Sequence, residues 1–335
     1  MKLKPLEQQV VVITGGSSGI GRETALRMAR GGAAVVVLSR DEERLATLVE
    51  EVREAGGIAR SIVCDVTDFD EVRRAVDLVE EWFGRIDSWV NNAGVLLYSE
   101  FRRTSPEEFR RIMEVNFMGQ IHGALAALPA LTRAGGGALV SISSAESFLT
   151  LPTHSAYAAT KAAVEAAMDG LRRELIDEGS PVSVTTVHPA VIDTPIYRTA
   201  RTHLPLMPSA PPPVYDACVV ADCIVYAATH RVPKLYAGGA SRSMSVIQVA
   251  MPRLADAVLG RFGMRFMTTD APALDWEGNL YTPVPDGRIR GVLPRRGRRA
   301  SVYTWLALRP LACLGLGVAA TAAVLTGTAV RRRGR

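Results

Sequence analysis

Tyr157 and Lys161, in the run Tyr157-Ala-Ala-Thr-Lys161, stand four residues apart. On a helix that spacing puts both side chains on one face. A fixed ammonium there can lower the pKa of a phenol, so that it trades a proton near neutral pH. The pair follows Thr14-Gly-Gly-Ser-Ser-Gly-Ile-Gly21, Asn91-Asn-Ala-Gly94, Asn116 and Ser144 in chain order. In that company the chemistry is hydride transfer. Tyr157 would give its proton to a carbonyl oxygen, or take it back from an alcohol. Lys161 would also hold a nicotinamide ribose. Ser144, thirteen residues before Tyr157, would hydrogen-bond the substrate oxygen, and Asn116 would hold a water linking Lys161 to solvent.

The glycine run needs a strand before it and a helix after it. Gly15, Gly19 and Gly21 then let the backbone turn tightly and approach a pyrophosphate, while the helix start supplies amide donors. The next strand ends in Ser39-Arg40. A small polar residue followed by Arg suits the 2′-phosphate of NADP, where NAD enzymes place a carboxylate, so NADP is expected over NAD. Asp65 either approaches the adenine amino group or caps the next helix.

The pattern supplies those elements. Short apolar runs at Val10–Ile13, Val35–Leu38, Ser61–Cys64, Ser88–Asn91, Ala138–Ile142, Val182–Val187 and Lys234–Ala237 read as strands. Helices are expected between them, including one long helix over 105–131 that carries Asn116 and one over 156–178 that carries Tyr157 and Lys161. Repeated β-α alternation predicts an α/β fold, a doubly wound parallel sheet with right-handed crossovers and ligands at the strand C-terminal ends. Residues 194–214 hold six prolines and read as an irregular loop with room for one helical turn, a substrate lid. Phe148, Leu149, Leu151, Ile196, Leu204, Leu206 and Met207 are candidates to line an apolar pocket.

At 335 residues the chain has room for one large domain, expected over 7–240, and an appendage. Residues 241–304 read as a less regular extension with a basic linker, in which Met244, Val246, Ile247, Val249, Met251, Leu254 and Val258 suggest an amphipathic helical stretch interrupted at Pro252. The net charge is +5, and much of the excess is arginine flanking the uncharged run Leu311–Val330. That run is about 30 Å long as a helix. With Tyr303 and Trp305 before it, 305–330 reads as a membrane-anchoring terminal helix on a cytoplasmic catalytic domain, and the arginines as membrane-surface anchors rather than a nucleic-acid site. Four cysteines without a C-x-x-C or Cys/His cluster suggest neither a disulfide framework nor a metal site.

Over residues 7–240, T-G-x-x-x-G-I-G, N-N-A-G, the mid-helix Asn116 and Ser144-x12-Tyr157-x-x-x-Lys161 together resemble the short-chain dehydrogenase/reductase family, with its Rossmann fold. The resemblance implies an NAD(P)-dependent oxidoreductase with an intact Asn116, Ser144, Tyr157, Lys161 tetrad, acting on a small carbonyl or alcohol. It implies cofactor contacts from Ser17, Ser18, Ile20, Val66, Asn92, Ala93, Gly94, Pro189, Val191, Ile192 and Thr194, and a sheet-stabilising role for Asn91. Pro189-Ala190 departs from the usual Pro-Gly. Pairing through the Asn116 and Tyr157 helices, as family members do, predicts a homo-oligomer. The alternative is an NADP-binding sensor or scaffold with little turnover.

Overall fold

The computed structural model describes residues 3–273, 277–284, 286–291 and 296–309. Val10–Thr14 forms β1, with all five residues buried, as a strand covered on both faces requires. Successive side chains point to opposite faces. Val11 and Ile13 therefore enter one core and Val10 and Val12 the other. β1 runs through Gly15, held at φ +65°, into α1, Gly19–Arg30.

The alternation continues through β2 (Ala34–Ser39), α2 (Glu42–Glu54), β3 (Ile58–Val63), α3 (Phe69–Phe83) and β4 (Ser88–Asn91). Asp41 and Asp68 cap α2 and α3 by accepting from Arg44 N and Glu71 N, satisfying amides that have no partner within the helix. Next come α4 (Pro106–Met113), α5 (Gly119–Arg133), β5 (Ala138–Ile142), α6 (Ser155–Asp177), β6 (Ser183–Pro189), α7 (Ala217–Thr229) and β7 (Lys234–Ala237). The strands form one seven-stranded sheet in the order β7-β6-β5-β4-β1-β2-β3, every pair parallel. The order reverses between β1 and β4, which opens the crevice where such sheets take ligands.

The single long helix expected over 105–131 is divided. Between α4 and α5 lies a π-turn, Glu114–Met118, and Asn116 sits in it. One extra residue per turn swings its side chain inward, a device common at functional sites.

Residues 194–214 contain one helical turn, Ile196–Thr199, and two short strand pairings that the sequence did not suggest. Arg201–Thr202 pairs with Leu97–Tyr98, and Leu206–Pro208 with Thr268–Pro272.

The extension starts as two helices that meet at Pro252. Gly239–Ala250 (α8) and Pro252–Met267 (α9) are helices, and Pro252 opens the second, where its missing N–H costs nothing. The chain beyond them returns to the sheet domain. Leu280 is fully buried against Val95, Leu97, Ile112, Val115, Ala156 and Tyr157, a burial that contributes roughly 1.5–3 kcal/mol.

The membrane-spanning helix expected over 305–330 is corrected by the structure. Among the described residues no helix is long and apolar enough to cross a membrane. The described start of that span lies in and after α10, Val302–Ala307, six residues long. Residues 310–335 lie outside the described residues. α10 is docked on the domain: buried Thr304 accepts from Gly238 N at 2.9 Å, and Tyr303 meets Tyr236 edge-on at 6.4 Å. Two of the arginines read as surface anchors have carboxylate partners while staying exposed. Arg288 pairs with Asp286 at 2.6 Å and Arg290 with Asp216 at 2.7 Å.

Candidate active site

The crevice beside the β1–β4 switch is lined at one end by the glycine turn and at the other by Ser144, Tyr157 and Lys161. A Cβ on Gly21 would stand 2.2 Å from Gly15 O, and one on Gly15 would stand 2.7 Å from Ala93 Cα. Only glycine allows this approach, so the cradle suits a group that must lie against bare backbone. Thr14 fastens it to the Asn91-Asn-Ala-Gly94 turn, its Oγ1 accepting from Asn92 N at 3.0 Å and Ala93 N at 3.1 Å. Asn91 is buried and donates to Gln120 O at 2.9 Å, tying β4 to α5.

Beyond the cradle, Ser17 and Ser39 join hydroxyl to hydroxyl at 3.0 Å. Arg40 follows, and the chain's own extension covers it. Its guanidinium donates to Tyr281 O at 2.8 Å and Asn279 O at 3.3 Å. Asp65 lies 3.7 Å from both Arg40 and Arg111. Burial pushes the Asp65 carboxyl up, but hydrogen bonds from Thr67 and the two guanidinium groups hold it below its ordinary range. Its hydrogen bonds go to Thr67 N and Oγ1, the pattern of a turn residue, while it also lines the crevice.

At the other end, Ser144 Oγ accepts from Glu146 N at 3.1 Å. It lies within hydrogen-bonding reach of the Tyr157 phenol, whose charged form it favours. Burial, then the Glu146 carboxylate, outweigh that and push the phenol well up. Lys161 is 3% exposed, and burial alone lowers its ammonium to about 8. It donates to Ile142 O at 2.9 Å and stands 5.5 Å from the centre of the Tyr157 ring. Asn116 exchanges two hydrogen bonds with the Val95 backbone, at 2.8 and 2.9 Å. A Cβ on Gly94 would stand 3.3 Å from its Oδ1, a tight approach, and 3.7 Å from Lys161 Nζ, ordinary contact, so Gly94 packs beside both side chains.

Val66, Pro189, Val191, Ile192 and Thr194 all line the same crevice, as do Ser18, Ile20, Asn92 and Ala93. Of the apolar lid candidates Leu151 and Ile196 line it; Leu204 instead packs with Tyr98 and Met267. Sequence reasoning missed Leu96, Glu146, Tyr197 and Met244, and the extension residues Asn279, Pro283, Val284 and Asp286. Gly19 N even donates to Arg288 O at 3.0 Å. Among the described residues no His/Cys/Asp/Glu cluster could hold a metal ion.

Residues 9–205 match the model of the family described as short chain dehydrogenase. The chain belongs to that family. This short chain dehydrogenase is 34% identical over 314 residues to "Uncharacterized oxidoreductase YxnA" of Bacillus subtilis (strain 168), covering 93% of this chain and 88% of that one. A match of that length runs far past residue 205, so the extension is shared with that relative. Identity to "Probable oxidoreductase EphD" of Mycobacterium tuberculosis (strain ATCC 25618 / H37Rv) is 40% over 197 residues, 58% of this chain and 33% of that protein. Among solved structures, an alcohol dehydrogenase from the archaeon Thermococcus sibiricus, complexed with 5-hydroxy-NADP, superposes with a TM-score of 0.60 at 27% identity. It covers 68% of this chain and 95% of that one. This short chain dehydrogenase is thus an oxidoreductase of a family that uses NAD(P).

A charged cluster lies under this site. His188 is fully buried on β6, with Nε2 3.0 Å from Glu165 Oε2, and Glu165 also pairs with Lys234. Burial pushes the Glu165 carboxyl up from 4.5, but His188 and Lys234 bring it down to about 2. The folded pKa lies below the unfolded one. The stabilisation is therefore complete above about 4.5 and lost as pH falls through about 2. Glu165→Gln should lower the free energy of unfolding at neutral pH by up to about 3 kcal/mol. Urea titrations of both proteins should converge across that acid window; an equal deficit at every pH would assign the loss to packing instead.

Proposed function

We propose that this chain is an NADP(H)-dependent reductase, interconverting an apolar carbonyl and its alcohol with Tyr157 as acid and base. One observation carries the reading. Ser144, Tyr157 and Lys161 converge at one end of a crevice whose other end is a backbone cradle that only glycine permits.

The bound dinucleotide would supply the hydride. Gly15, Gly19 and Gly21 would hold its pyrophosphate, with Thr194 beside them. Ser17, Ser39 and Arg40 would take a 2′-phosphate, and Arg40 matches that anion better than a ribose hydroxyl. The T. sibiricus neighbour's NADP derivative favours the same choice. Asp65 and Val66 would face the adenine, and Val191 and Ile192 the nicotinamide side.

Tyr157 donates its phenolic proton to the carbonyl oxygen, which Ser144 hydrogen-bonds in place. Lys161, buried and anchored on Ile142 O, presents a cation that steadies the phenolate left behind. Asn116 fixes the Val95 backbone and with it one wall of the crevice. Leu96, Leu151, Ile196, Tyr197 and Met244 make the substrate end largely apolar, which disfavours small charged substrates.

Purified protein should oxidise NADPH in the presence of aryl and alkyl ketones, with NADH markedly poorer. Tight NADPH binding without turnover across such a panel would sink the reductase and leave a dinucleotide sensor.

A further inference from the structure

Glu146 and His154 have no part in the reaction as described, yet both line its crevice. Glu146 is two residues past Ser144, and His154 is three before Tyr157. His154 is 2% exposed, and its Nδ1 lies 3.0 Å from both Oε1 and Oε2 of Glu146. An ionised carboxylate only accepts, so Nδ1 carries the proton. Each partner is rooted in the segment of one reacting group. Glu146 N donates to Ser144 Oγ at 3.1 Å. His154 is the N-cap of α6, and its carbonyl accepts from Ala158 N at 2.8 Å. The imidazole meets the Tyr157 ring edge-on at 6.2 Å and the Tyr98 ring at 4.5 Å.

We propose that Glu146 and His154 form a positioning pair. It braces Ser144 against Tyr157 and places a carboxylate on the reacting side of the crevice, so the site is set to deliver a proton to a carbonyl. The inference rests on the reductase reading and adds a direction to it. In that direction the phenolic O–H bond breaks, the substrate O–H bond forms, and the electron pair arrives as hydride from the reduced dinucleotide.

The groups around the phenol can be counted element by element. Ser144 and Glu146 face it from the turn after β5, His154 from the N-cap of α6, and Lys161 from α6 itself. Tyr98 faces it from the short strand after β4, and Tyr197 from the helical turn after β6. Glu146 supplies the negative charge in this ring, and Lys161, turned toward Ile142 O, the positive one. After burial, Glu146 is the next influence raising the phenol. A nearby anion disfavours phenolate for the same reason that a nearby cation favours it.

The test compares wild type, Glu146→Gln, Glu146→Asp, His154→Leu and Tyr157→Phe. Two readouts are taken against pH: oxidation of 1-phenylethanol with NADP⁺, and the tyrosinate absorbance of the NADP⁺ complex minus that of Tyr157→Phe. Glu146→Gln keeps an acceptor for Nδ1 but removes the charge. It should move both midpoints down by about one pH unit, while Glu146→Asp leaves them in place. His154→Leu should lower kcat roughly tenfold with little change in KM. Unchanged midpoints in Glu146→Gln would overturn the proposal. Turnover that survives in Tyr157→Phe, or none in any variant, would instead break the reductase reading, and the absorbance titration would still report on Glu146.

Discussion

Tyr157→Phe is expected to lower kcat for ketone reduction by about a thousandfold, the scale of a lost general acid, while NADPH binding stays within about twofold. The substitution removes one oxygen and keeps the ring, which packs with Val95, Leu97, Ile112 and Leu280. Stability should therefore hardly move. What is lost is the O–H that Ser144 reaches and that Lys161 backs with a buried cation. Lys161→Met is a harsher change. It removes the cation and one of two donors to Ile142 O, which keeps Gln120 Nε2 at 3.0 Å, so the lost hydrogen bond costs about 0.5–1.5 kcal/mol. A kcat loss matching that of Tyr157→Phe, with lower thermal stability besides, would mark Lys161 as serving the phenol. Single-turnover mixing of enzyme, NADPH and ketone separates the chemical step from cofactor release. If Tyr157→Phe retained more than a tenth of the wild-type single-turnover rate, the proton would have another source.

The parts of this protein that were legible in the sequence are those whose physics is local. A glycine turn between an apolar strand and a helix, repeated β-α alternation, and an i,i+4 pair on α6 all declare themselves within a few turns of chain. The π-turn at Glu114–Met118 leaves no such mark. Its residues suit an α-helix, and the extra residue is accommodated because Asn116 gains two buried hydrogen bonds with Val95. The return of the extension to the sheet domain was illegible for a different reason. Leu206–Pro208 pairs with Thr268–Pro272, and Arg40 and Arg111 donate to carbonyls of residues 279–281. Backbone acceptors carry no sequence signature, and contacts between residues so distant along the chain have no period. The terminal helix was expected from hydropathy and flanking arginines. Arginine content alone could not show that Arg288 pairs locally with Asp286, or that Arg290 reaches Asp216 of the catalytic domain.

Such pairing bears on cofactor choice, because Arg40 has two tasks that one substitution can separate. It is placed to meet a 2′-phosphate, and it also holds the strap at Tyr281 O and Asn279 O. Arg40→Asp should reduce kcat/KM for NADPH by about a thousandfold. Lost charge-assisted hydrogen bonds account for about 1.5–3 kcal/mol of this, and repulsion between the new carboxylate and the phosphate for the rest. With NADH the same carboxylate can bind ribose hydroxyls, so kcat/KM should hold within about threefold or improve. Arg111→Ala provides the control. Arg111 donates to Leu280 O at 3.1 Å and faces Asp65 at 3.7 Å, so its loss loosens the strap and leaves Arg40 in place. Its effect should be small and equal for the two cofactors. If Arg40→Asp instead weakened NADPH and NADH alike, Arg40 would act by holding the strap over the crevice, and the choice of cofactor would have to be made by Ser17 and Ser39.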